Sequence, residues 1–202
     1  MIKKGIFGGT FDPIHIGHMY IANEALWSLG LDKVIFMPSG IPPHKSLKGI
    51  TPSELRFDMV SRAIKNYKNF EISDYEIRKN GYSYTYETLE YLKGLEGSNT
   101  ELYFITGCDC LFDLDKWRNV DRIMKAAKFV VFNRPGYSKE DIQRQKKIVE
   151  EKFNCNITFL DLLLLDISST YIRQCIREGK DVSFFLPMGV EDLIKEKSLY
   201  LK

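Results

Sequence analysis

What most constrains this chain is a repeated alternation. Short runs of β-branched and aromatic residues are each followed by a longer stretch with apolar residues at helical spacing. Residues 4–8 (KGIFG) read as a first strand running into Gly8 and Gly9. Residues 17–29 read as a helix whose apolar face is Met19, Ile21, Ala22, Ala25, Leu26 and Leu29. Residues 33–38 (KVIFMP), 70–73, 102–106 (LYFIT), 129–132 (FVVF) and 157–160 read as further strands. Helices are predicted from residue 51 and over 85–95, 138–153, 169–178 and 190–196. In Thr51-Pro52-Ser53-Glu54 the first residue is the predicted N-cap, with Pro in the first turn and Glu three residues on. Strands separated by helices imply βαβ units, hence a mainly parallel α/β sheet covered on both faces. Such sheets bind ligands at the carboxyl ends of their strands, near the switch in strand order. Function is therefore to be sought just after each strand. No repeat or linker divides the chain, so residues 1–202 are expected to form one domain.

Charge and composition remove several alternatives. Lys and Arg number 29 against 27 Asp and Glu, and a net charge of +2 is too balanced for a protein that coats nucleic acid. The longest apolar run, residues 162–165, lies between Asp161 and Asp166 and is too short to span a bilayer. No nucleic-acid or membrane partner is expected. The stretch MIKKGIFGGTFDP has no apolar region followed by a cleavage site, so no signal peptide is expected. Cys108, Cys110, Cys155 and Cys175 form no CxxC pair and read as reduced thiols of a cytoplasmic protein.

The first strand runs into Gly8-Gly9-Thr10-Phe11-Asp12-Pro13-Ile14-His15-Ile16-Gly17-His18. Glycines there let backbone approach a ligand closely, and the free N–H groups of a helix start favour an anion. His15 and His18, three apart, project from one side of a first helical turn and can donate to phosphate oxygens. Gly17 leaves room for a substrate group against the helix. A zinc pair is the competing reading, but His44 is the one other histidine and no HExxH pattern is present. GxGxxG and the P-loop lysine motif are both absent, which argues against a hydride-carrying dinucleotide and against a P-loop NTPase.

GGTFDPIHIGH resembles the (T/H)xGH signature of the nucleotidyltransferase superfamily, and Ile167-Ser168-Ser169-Thr170-Tyr171-Ile172-Arg173 resembles its ISSTxxR signature. Hydroxyls and helix-start N–H groups in the second motif offer another anion site, and Arg173 can fork onto phosphate oxygens. Read alone, that segment is a plain N-cap, Ser168 or Ser169, with a surface arginine. Further segments are similar to the bacterial nicotinate-mononucleotide adenylyltransferases over nearly the whole chain. They are Pro42-Pro43-His44-Lys45 after the second strand, SYTYETL at 83–89 (with Glu87 where Asp is usual), FITGCDCL at 104–111 followed by Trp117, and Asn133-Arg134-Pro135-Gly136. Cys108 is a conservative size change, whereas Cys110 beside Asp109 is a less usual pocket wall.

The resemblance implies a Rossmann-like, doubly wound fold of the nucleotidyltransferase type, and a reaction in which ATP and nicotinate mononucleotide give deamido-NAD and pyrophosphate in NAD biosynthesis. His15, His18, Lys45 and Arg173 are the candidate catalytic residues. The ATP side is implied at Gly8, Gly9, Thr10, Phe11, His15, His18, Gly107, Asp109, Arg134, Ile167, Ser168, Ser169 and Arg173. The mononucleotide side is implied at His44, Lys45, Thr85, Trp117 and Arg118. Mg²⁺ is the implied cofactor, held mainly by the nucleotide phosphates rather than by protein ligands. Oligomeric state is left open. Asp109, just after a strand, suits a ribose hydroxyl or a helix N-cap. Trp117 suits ring stacking or simple packing. The rivals are a pantetheine-phosphate adenylyltransferase, which should lack the Thr85 and Trp117 segments, a carboxamide-preferring adenylyltransferase, and a nucleotide sensor without turnover.

Overall fold

The computed structural model describes residues 1–41, 49–79 and 81–201. Six strands form one sheet: β1 (Ile2–Gly9), β2 (Lys33–Pro38), β3 (Phe70–Ile72), β4 (Thr100–Gly107), β5 (Lys128–Phe132) and β6 (Ile157–Leu160). The order is β3-β2-β1-β4-β5-β6 and every pairing is parallel. The connecting helices are α1 (Ile16–Ser28), α2 (Ser53–Ile64), α3 (Tyr75–Arg78), α4 (Thr85–Glu96), α5 (Cys108–Asp113), α6 (Val120–Ala126), α7 (Lys139–Phe153), α8 (Ser169–Arg177) and α9 (Val190–Glu196).

Strand residues alternate between two cores, as period-2 side chains on a doubly covered sheet must. Phe7, Val34, Phe36, Tyr103, Ile105, Val130 and Phe132 pack with α1, α2, α8 and α9. Ile6, Ile35, Met37, Leu102, Phe104, Phe129 and Val131 pack with α4, α5, α6 and α7. Strand order reverses direction between β1 and β4, and the two β1 neighbours leave a crevice at the carboxyl end of the sheet. No helix among the described residues is long and apolar enough to cross a membrane.

The predicted strands and long helices are all present, with ends shifted by a few residues. β1 begins at Ile2 because β4 pairs with it from Thr100 onward. The helices α3, α5 and α6 were not predicted; they span four, six and seven residues, at most two turns in which apolar periodicity is weak, although α9, as short as α6, was read from its sequence. Thr51 does not cap α2. Pro52 occupies the N-cap position with no side-chain cap bond. Thr51 instead donates its N–H to Asp12 Oδ2 (3.2 Å), and its carbonyl accepts from Arg56 Nε (2.9 Å).

Candidate active site

The loop after β1 is held by its own apolar residues. Phe11 and Ile14 are buried in the core, and Phe11 lies edge-on to Phe7 at 5.7 Å. The chain then enters α1 with His15 as N-cap and His18 as the third helical residue. Their rings come together, with centroids 3.8 Å apart. His18 Nδ1 accepts the His15 backbone N–H at 3.3 Å, so its proton sits on Nε2, which is left free to donate. A Cβ on Gly17 would stand 3.0 Å from His15 Nδ1, so this glycine seats the imidazole, and it also lines the larger cavity described below. Likewise a Cβ on Gly9 would stand 2.8 Å from the Phe11 ring, so this glycine seats Phe11.

Both histidines are neutral at neutral pH. Burial, reinforced by the charge of Arg134, brings the His15 pKa down from 6.5 to about 4. His18 is pushed well below its usual value by burial, then by His15 and Arg134. An unfolded chain would take up these protons near pH 6.5 and the folded chain would not, so stability should be complete above that pH and fall as pH drops toward 4. For His15 the difference is on the order of 3 kcal/mol. Urea denaturation of His15→Gln against the parent should show the variant's stability falling less over this interval; parallel curves would place the proton uptake elsewhere.

α8 faces this pair. Ser168 is its N-cap, accepting the Tyr171 N–H at 3.2 Å, whereas Ser169 donates to the Pro13 carbonyl at 2.8 Å. Arg173 is half-buried rather than a surface arginine, and its Nη1 donates to the Asp12 carbonyl at 2.6 Å. The two signature motifs are thus tied together by Ser169 and Arg173, through bonds between residues 156 and 161 apart in the chain. On the far side, Arg134 pairs with Asp109 Oδ2 at 3.1 Å, and Asp109 Oδ1 is buried without a partner among the described residues. Asp109 is the second residue of α5 and not its N-cap, a position taken by Gly107.

Two cavities open at this end of the sheet. The larger, about 720 Å³, is lined by all the residues expected on the ATP side, from Gly8 through the histidine pair to Arg134 and the Ile167–Arg173 segment. The smaller, about 230 Å³, contains Thr85, Trp117 and Arg118. Gly8, Gly9, Thr106 and Cys110 line both, so the cavities share a wall. Trp117 stands edge-on to Phe104 at 6.2 Å while still lining the cavity, so it both packs and presents a face. Arg118 lies over the Tyr84 ring at 4.9 Å. Glu87 lies outside both cavities, tied to Lys79 and to the Tyr86 hydroxyl. His44 and Lys45 fall outside the described residues.

Four residues escaped the sequence reading. Asp12 carries bonds from three segments. Glu76 lines the smaller cavity, where Thr88 Oγ1 donates to it at 2.8 Å and burial raises its pKa. Arg56, 2% exposed, donates to the carbonyls of Thr51, Thr10 (2.7 Å) and Ser39 (2.7 Å), thereby joining the ends of β1, β2 and the approach to α2. Tyr200 donates to Asp12. For Arg56 a signal existed: it stands three and four residues before Met59 and Val60, on the apolar face of its helix.

Comparison with known proteins agrees with this geometry. The cytidylyltransferase-like family profile matches residues 6–175, which defines the class. Two curated relatives, both named "Probable nicotinate-nucleotide adenylyltransferase", are 54% identical: one from Clostridium kluyveri over 99% of this chain and 100% of its own length, the other from Clostridium tetani with the same coverage. The chain belongs to the nicotinate-nucleotide adenylyltransferase branch of the cytidylyltransferase-like family. In fold it is similar to the nicotinic acid mononucleotide adenylyltransferase of Plasmodium falciparum solved in complex with NaAD, with a TM-score of 0.78 at 20% identity over 99% of this chain and 98% of that one.

Proposed function

We propose that this chain transfers the adenylyl group of ATP to nicotinate mononucleotide, giving nicotinate adenine dinucleotide and pyrophosphate in NAD biosynthesis. The observation that carries it is the meeting of the His15–His18 pair and Arg173 in a cleft that shares a wall with a cavity holding Thr85, Trp117 and Arg118. ATP occupies the larger cleft and the mononucleotide the smaller. The mononucleotide's phosphate oxygen attacks the α-phosphorus, the bond from that phosphorus to the bridging oxygen breaks, and pyrophosphate leaves. A phosphate monoester is already an anion, so no side chain need remove a proton. The work left to the protein is to hold two anions in line and to stabilise charge on the phosphoryl oxygens.

His18 Nε2–H and His15 serve as neutral donors, and the free part of the Arg173 fork adds positive charge. Lys45 and His44 are assigned to the same phosphates on the family motif. Gly8, Gly9, Thr10 and Phe11 form the floor beneath them, with Ile167, Ser168 and Ser169 opposite. Gly107, Asp109 and Arg134 are assigned to the nucleoside part of ATP. Thr85, Trp117 and Arg118 are assigned to the pyridine ring and its carboxylate, with Trp117 stacking and Arg118 supplying charge.

Mg²⁺ belongs to the same proposal, entering with ATP and neutralising the triphosphate. The donors here fit that arrangement. Imidazole and guanidinium groups suit phosphate oxygens rather than a hard cation, so a bound Mg²⁺ would be held mainly by the nucleotide phosphates. One domain over residues 1–202 is supported by a single sheet carrying both cavities, and a cytoplasmic location by four free cysteines.

Pyrophosphate release with Mg-ATP tests the reading, comparing nicotinate and nicotinamide mononucleotides. The acid should be preferred by about 10-fold or more in kcat/KM, because a cation in the pocket rewards a carboxylate and a carboxamide leaves it unpaired. Equal rates would withdraw the acid selectivity, and no release with either would overturn the reaction.

A further inference from the structure

We propose that Tyr200 is a positioning residue for the ATP side of the site, acting through Asp12. After α9 ends at Glu196, the chain turns back on itself and puts the Tyr200 hydroxyl 2.6 Å from Asp12 Oδ1, a bond between residues 188 apart. The other carboxylate oxygen takes the Thr51 N–H at 3.2 Å, and the Asp12 carbonyl takes Arg173 Nη1 at 2.6 Å. One buried aspartate therefore fastens the phosphate loop to the carboxyl-terminal turn, to the approach to α2 and to α8.

The backbone at both ends of this bond is held in an uncommon conformation. Phe11, next to Asp12, has φ +50°, and Ser198 and Tyr200 have φ +49° and +66°. Non-glycine residues in the left-handed region persist where surrounding contacts over-determine them. The Tyr200 ring supplies part of that hold by packing against the α2 side of the core, where its oxygen lies 3.9 Å from Met59 Sδ. Burial and the Asp12 carboxylate push the phenol's pKa far up, so it stays protonated and remains a donor.

Electrostatics gives the contact a direction of effect. Asp12 lines the cleft assigned to ATP, where an unengaged carboxylate would repel a polyanion. With both oxygens occupied, its charge is turned to Tyr200, Thr51 and the neighbouring Arg56 instead. Asp12 and Arg173 line the larger cleft and neither lines the smaller one, so losing the Tyr200 hydroxyl should weaken ATP and spare the mononucleotide.

This inference rests on the larger cleft taking ATP, and equilibrium binding tests it without turnover. Calorimetric titration of the full chain with Mg-ATP, and separately with nicotinate mononucleotide, should show Tyr200→Phe weakening ATP by roughly 10-fold. The mononucleotide should change by no more than about 2-fold, and adding Asp12→Asn, which removes the freed charge, should restore most of the ATP affinity. A purely structural tyrosine would lower Tm and leave both affinities alike; either that result, or equal weakening of both ligands, overturns the proposal. Should Tyr200→Phe not fold, the double variant is compared with Asp12→Asn alone, where equal ATP affinity supports coupling through the carboxylate and a further fall overturns it. A parent chain that binds ATP yet forms no dinucleotide would defeat the proposed reaction and leave this inference standing.

Discussion

His18→Ala is expected to lower turnover by a factor on the order of 10² or more while circular dichroism and the melting profile stay those of a folded protein. The effect follows from what this imidazole can do that its neighbours cannot. Its Nδ1 is committed to the His15 backbone N–H, which fixes the proton on Nε2 and the ring in one orientation. It stands edge-on to Phe11 at 5.0 Å and 6.1 Å from Phe7, an apolar setting that keeps it uncharged and makes its N–H a stronger partner for a phosphoryl oxygen than the same group in water. Alanine leaves the phosphate loop in place, because Phe11 and Ile14 hold it, but removes the donor. Steady-state pyrophosphate release measures the loss, and a variant of normal turnover would remove His18 from catalysis.

Arg56→Met is expected to destabilise the fold by about 3–5 kcal/mol. The guanidinium is almost wholly buried and donates to three backbone carbonyls, those of Thr10, Ser39 and Thr51. Methionine fills much of the volume and satisfies none of them, so three acceptors and the nearby Asp12 charge lose their partner at once. In a chain of this size that corresponds to a fall in Tm of roughly 10 °C. Thermal unfolding checks it, and a fall under about 3 °C would mean that the carbonyls find other donors. Because Thr10 and Ser39 directly follow β1 and β2, ligand binding should weaken along with stability.

Much of the architecture was legible because the strands are buried on both faces. Runs such as KVIFMP and FVVF have no polar alternation to confuse them, and the helices between them are long enough to show a stripe. That the two helix starts meet in one cleft was legible for a related reason: glycines, hydroxyls and histidines at a strand-to-helix turn have few structural uses that need all of them. What stayed hidden is held by single polar residues whose partners are backbone atoms far away in the chain. Arg56 reaches three carbonyls, Tyr200 reaches across 188 residues, and Asp12 sits unremarked between a phenylalanine and a proline. Backbone carbonyls exist at every position, so no residue pattern announces that one of them will be a partner. Thr51 shows the same limit from the other side. Its sequence context is that of a cap, and a buried aspartate and arginine outcompeted that local role.

The wall shared by the two cavities bears on how the enzyme lets go. On the proposed assignment each substrate takes one cavity, and the dinucleotide formed across Gly8, Gly9, Thr106 and Cys110 spans both. It is in effect a bivalent ligand, with one half held at high effective concentration by the other. Its grip on that assignment therefore exceeds that of either half alone. On that assignment, escape of the joined molecule rather than bond formation is the expected slow step, and accumulated dinucleotide the expected competitor for both substrates at once.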